Sequence, residues 1–171
     1  MLNIDELKKL LKKHEEDLKN NNLDPIFDDN DAFYEYDYFG TGFSPKDARE
    51  FLEAQGIDPL KYLTKIPWCY YDCEKLGTLD LSKYTNLKRL EHHAFYHCDI
   101  KNDLILPDSI KEIYELALSL KVSKLYLPNN LKEVSNEAFD DLKCYNIIYK
   151  NKKYDSIDII EALYNDGVRI Y

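Results

Sequence analysis

From Ile66 onward the chain resembles itself, and that self-similarity limits its folding options more than any other feature. The first unit holds Ile66-Pro67-Trp68-Cys69-Tyr70-Tyr71-Asp72-Cys73, then Leu76, Leu79 and Leu81. The second runs Leu90 through Cys98, then Leu104-Ile105-Leu106-Pro107. The third has Ile113-Tyr114-Glu115-Leu116-Ala117-Leu118, then Leu125-Tyr126-Leu127-Pro128, and the fourth has Val134 to Phe139, then Ile147-Ile148-Tyr149. The pairs Ala94/Phe95, Ala117/Leu118 and Ala138/Phe139 recur after 23 and then 21 residues. A unit this short cannot bury its own apolar face, so the units must stack on one another.

Each recurring position has a physical role. Leucines alternating with other residues in Leu104-Ile105-Leu106 and Leu125-Tyr126-Leu127 predict short strands with one face inward. The prolines after them end the strand without removing an inner ladder bond. The small alanine lets the return segment approach its neighbour, and the aromatic after it fills the space between coils. Asp108-Ser109 and Asn129-Asn130 supply turn chemistry. This pattern resembles the BspA-type leucine-rich repeat, with units of the form Leu-Pro-x-Ser-Ile-x-x-Ile-x-x-x-Ala-Phe-x-x-Cys. The matching stretches are Leu106 to Ile113 and Leu90 to Cys98, and the resemblance extends over about Leu63 to Tyr149. It implies a curved solenoid that serves adhesion or protein interaction. Two departures stand out: Cys69 is read into the alanine slot, and Leu118 replaces the aromatic.

The expected fold class is α+β: a short leucine-rich-repeat solenoid of about four units, with a helical N-terminal region and an αβ C-terminal cap. Residues 1–43 hold a helix, capped by Asn3 and Glu6, and an acidic aromatic segment. Residues 44–63 form a helical N-terminal cap, opened by Ser44 and Pro45 and closed by Gly56. Ala48, Phe51, Leu52 and Ala54 are its expected buried side. Repeats occupy 64–149. The C-terminal cap, 150–171, has a strand and turn, a helix capped by Ser156, and a final strand from Val168.

Function is narrowed by what the chain lacks. A net charge of −9 opposes a sequence-independent grip on nucleic acid or an anionic membrane. No apolar run reaches a membrane span, and Met1 to Leu7 lacks a basic start and apolar block, so a cytoplasmic location is expected. There the cysteines are expected to be buried thiols rather than disulfides. Cys69, Cys73, His93, His97 and Cys98 resemble a zinc set only loosely, and neither a phosphate loop nor a nucleophile elbow is found. No cofactor is expected, and a metal- or thiol-dependent enzyme is the least supported reading.

A non-catalytic protein-binding module is the leading one. Thr78, Asp80, Ile105, Lys124, Tyr126 and Ile148 are expected to point outward from the strands, and Asp80, Ile105, Lys124 and Tyr126 are the contact candidates chosen among them. A second surface is Asp24 to Asp37, with six acids and no base in fourteen residues, interleaved with aromatics. Asp28, Asp29, Asp31, Tyr34, Glu35, Tyr36 and Asp37 would there meet a basic protein. The sharper form of that idea is a phage-type inhibitor that mimics nucleic acid and blocks a basic nucleic-acid-binding enzyme.

Overall fold

The computed structural model describes residues 45–72 and 74–171. The chain divides into two units, Met1–Thr64 and Lys65–Tyr171. In the first, helix α1 spans Pro45–Ala54. It ends where Gly56 adopts φ +73°, a left-handed conformation that glycine takes without steric cost. That turn lets the Ile57 amide reach back to the Leu52 carbonyl at 3.0 Å, satisfying one of the helix's last acceptors. The buried stripe is Pro45, Arg49 and Leu52, at spacings of four and three residues. Ala54 lies two positions past Leu52, round the helix from that stripe, and is exposed rather than buried. Phe51 is half-buried, while Ser44 and the Ala48 side chain fall outside the described part. A short 3-10 turn, Pro59–Lys61, follows, with the Asp58 carboxylate accepting from the Leu60 amide.

The second unit is a stack of coils, each giving one strand pair to two sheets. The short sheet orders β1 (Lys65–Ile66), β4 (Arg89–Leu90), β6 (Glu112–Ile113), β8 (Glu133–Val134) and β11 (Arg169–Ile170). The long sheet orders β10 (Lys152–Tyr154), β9 (Lys143–Tyr149), β7 (Lys121–Tyr126), β5 (Asp99–Ile105) and β2 (Lys75–Leu76), with β3 (Leu79–Asp80) also on β5. All pairings are parallel except that of β10 with β9. The result is a β-solenoid of about four turns.

Columns of like residues make the core. Ile66, Leu90, Ile113 and Val134 align beneath the short sheet, each wholly buried. Leu104, Leu125 and Ile147 align beneath the long one, at 1% exposure or less. Leu81, Leu106 and Leu127 are buried too, so the inward register read from the sequence holds at those positions. Leu79, also expected inward, is only half-buried.

The alanine slot needs one correction. Tyr70, Ala94, Ala117 and Ala138 each donate their amide to the carbonyl three residues before, Pro67, Glu91, Tyr114 and Ser135 in turn. Tyr70, not Cys69, is therefore the equivalent of the alanines. Cys69 instead matches His93 and Leu116, all three with φ between 51° and 55°. Among the described cysteines, all free, Cys98 is buried as expected but Cys69 and Cys144 are half-exposed; Cys73 is outside the described residues.

The C-terminal end closes both sheets. Lys150 and Asn151 take φ of 48° and 62°, the paired positive values that suit a two-residue hairpin, and return β10 onto β9. Helix α2 (Asp158–Asn165) then buries Ile159 and Leu163. Its first turn is capped by Asp155 rather than Ser156: the Asp155 carboxylate accepts from the Ile157 and Asp158 amides at 2.9 and 2.8 Å. A carboxylate there also complements the positive end of the helix dipole. Gly167, at φ +80°, turns the chain into β11.

Candidate interaction surface

The outward face of the long sheet gathers the contact candidates of the repeats. Asp80, Ile105, Tyr126 and Ile148 are direct partners in successive strands, and Lys153 of β10 continues the row. The three central side chains are half-buried and the two charged ends are exposed. Lys124 is exposed two residues before Tyr126, in register with Asp103 and Asn146. The row is thus an apolar strip with charged ends, on backbone fixed by ladder bonds. Side chains held this way lose little freedom on binding.

Beside the strip runs a groove of about 340 Å³, lined by Ile105, Tyr126 and Ile148 on one side. Its other wall is tied between coils. Asp108 accepts from the backbone and side-chain amides of Asn129 at 2.8 and 3.1 Å, and the Ser109 hydroxyl donates to the Tyr84 carbonyl at 3.3 Å. At the strip's end, hydrogen bonds from Ser82, side-chain bond first, hold the Asp80 carboxyl below its ordinary range.

The short sheet presents a different surface, which sequence reasoning missed. Lys65, Arg89, Glu112, Glu133 and Arg169 stand in register across all five strands. Arg89 meets Glu91 at 2.6 Å, Lys65 reaches the same carboxylate at 3.5 Å, and Arg169 meets Glu133 at 3.2 Å. The Tyr114 hydroxyl donates to Glu112 at 3.4 Å, with the Arg89 guanidinium 5.8 Å from its ring. These charges largely answer one another. A signal was available: Arg89, Glu112 and Glu133 each precede a core aliphatic.

Burial first, with Glu112 and Glu91 nearby against the opposing pull of Arg89, pushes the Tyr114 phenol from 10.0 up to about 12. Between those values the unfolded chain loses this proton while the folded one keeps it, so stability falls as pH rises through the window. Tyr114→Phe removes the group. Its melting temperature should fall less between pH 10 and 12 than that of the parent protein. Equal slopes would mean that the hydroxyl is solvated in the folded state.

Asp28, Asp29, Asp31, Tyr34, Glu35, Tyr36 and Asp37 lie outside the described residues, as does the N-terminal helix. Of the zinc-like set, Cys98 is wholly buried and Cys73 is outside the described residues. Among the described residues, no three His, Cys, Asp or Glu side chains are gathered so as to hold a metal ion. No described helix is long and apolar enough to cross a membrane.

Comparison with known proteins finds a family match. A family model described as the BspA type leucine rich repeat region fits residues 58–162, in 6 copies. That span runs past the coils at both ends, from the residue before the 3-10 turn into α2. No curated protein and no solved structure matches the chain.

Proposed function

Because the chain belongs to the BspA-type leucine-rich repeat family, we propose that it is a non-catalytic protein-interaction module that docks its partner on the outward face of the long sheet. Repeats of this kind are generally protein-interaction modules. The observation that carries the choice of face is the in-register strip Ile105, Tyr126 and Ile148 beside an open groove. Apolar and aromatic anchors at the centre of a patch, with polar residues around them, are where binding energy concentrates. The short sheet is the weaker candidate, since its charged side chains are already paired with one another.

The test compares affinity capture from the native host by the parent protein and by Tyr126→Asp, with mass spectrometry as the readout. Tyr126 is half-buried on the outer face, so the variant is expected to fold. A specific partner should lose at least about tenfold in recovery, as truncating a central anchor does. Unchanged recovery by Tyr126→Asp, together with loss in Tyr114→Ala, would move the docking face to the short sheet.

A further inference from the structure

The long sheet carries another outward row, at the start of its strands. Lys75, Asp99, Lys121 and Lys143 are direct partners across β2, β5, β7 and β9. Lys101 is exposed two residues beyond Asp99, and Tyr145 is 85% exposed. A groove of about 480 Å³ runs along the Lys75, Asp99 and Lys121 part of this row, with Lys101, Ser123 and Tyr145 also in its lining, and Lys143 stands outside that lining. Lys121 meets Asp99 at 3.3 Å, whereas Lys75, Lys101 and Lys143 have no ion pair among the described residues.

Four lysines against one aspartate give this patch a charge of +3, on a chain whose formal charge is −9. Sheet pairing accounts for Lys75 and Lys121, which flank Asp99 in register, but not for Lys143 or Lys101. Lys121 and Lys143 are directly opposed, an arrangement of like charges that weakens strand pairing. Solubility does not require it either, since the acidic excess already serves that end.

We infer that this patch binds a short acidic peptide segment of the partner, whose carboxylates lie along the lysine row. The inference rests on the reading that the outward face of the long sheet is the contact surface, and it names the partner's chemistry. The row crosses three strand spacings, about 14 Å, which an extended peptide covers in about four or five residues. A segment that short stays on the patch. A nucleic acid would run beyond it onto a chain with an acidic excess and meet repulsion there. Tyr145 offers an exposed ring to an apolar or aromatic side chain of the same segment.

The experiment uses the full chain and a labelled synthetic peptide of about ten residues alternating glutamate with tyrosine, followed by fluorescence anisotropy. Two controls are the same peptide with glutamine for glutamate and an oligothymidylate of similar length. The acidic peptide should bind, weaken as salt is raised, and bind at least about tenfold more tightly than either control. Lys121→Glu with Lys143→Glu should weaken it by at least about tenfold, while the double variant stays folded because both side chains are exposed. Failure of the acidic peptide to bind, or equal binding by the double variant, overturns the inference. Equal binding by oligothymidylate overturns it as well and makes the patch a nucleic-acid surface. None of these results touches the Tyr126 capture test, so failure of the lysine row and failure of the apolar strip are distinguishable.

Discussion

Phe95→Ala is expected to lower the unfolding free energy by about 3–5 kcal/mol, the range for removing a large aromatic from a core. Phe95 is wholly buried, and its ring lies flat on that of Tyr71, with centroids 5.0 Å apart and planes within 5°. Around it the backbone is pinned: its amide donates to the Ala117 carbonyl, and the Tyr71 amide donates to that of Ala94. The surroundings therefore have little freedom to close the cavity, which places the cost toward the upper end. Position in the stack adds to the effect. Each coil is held chiefly by its neighbours, so loosening the second one also weakens the hold on the first. Urea denaturation with both fluorescence and far-ultraviolet dichroism is the measurement. A loss under about 1 kcal/mol would mean that the coils do not share this column as a packed core.

The features legible in the sequence are those in which one residue's chemistry decides the local structure. Alternation in Leu104-Ile105-Leu106 and Leu125-Tyr126-Leu127 sets the inward register, and the hairpin after Tyr149 is marked by Asn151, a residue type that tolerates positive φ. The outward row Asp80, Ile105, Tyr126 can be named because its buried neighbours are so clear. The rest depends on register between coils, which one unit's sequence does not contain. Lys75, Asp99, Lys121 and Lys143 are separated by 24, 22 and 22 residues, and the pairing of β5 with β7 shifts between Ile100 and Asp103. Ile105 and Tyr126, beyond that shift in the same two strands, are 21 residues apart, so one spacing does not align both rows. The short-sheet network is hidden for another reason: its strands are two residues long, too short for alternation to show. Placing Cys69 in the alanine slot is an error of size matching, since a tyrosine is not expected where the other units hold alanine. Asp155 and Ser156 are adjacent residues of capping type, so the sequence leaves the cap ambiguous by one position.

That tyrosine leads to the second large effect. Ala117→Tyr is expected to destabilise the protein by about 3 kcal/mol or more, although Tyr70 occupies the equivalent slot in the first coil. Ala94, Ala117 and Ala138 have no exposed surface, and they sit on amides that bond from coil to coil: Phe95 to Ala117, Leu118 to Ala138. A ring at position 117 would have coils directly stacked on both sides, at the spacing those bonds fix. Tyr70 belongs to the first coil of the second unit, which has a following coil of that unit but no preceding one. Large side chains are thus compatible with the slot at the first coil and incompatible with it inside the stack. Ala94→Tyr should resemble Ala117→Tyr in cost, and Tyr70→Ala should instead behave as an ordinary cavity substitution. Thermal and urea unfolding of the three variants separate these cases. An Ala117→Tyr protein as stable as its parent would show that the coils can spread, and close stacking would then no longer explain alanine at three successive repeats.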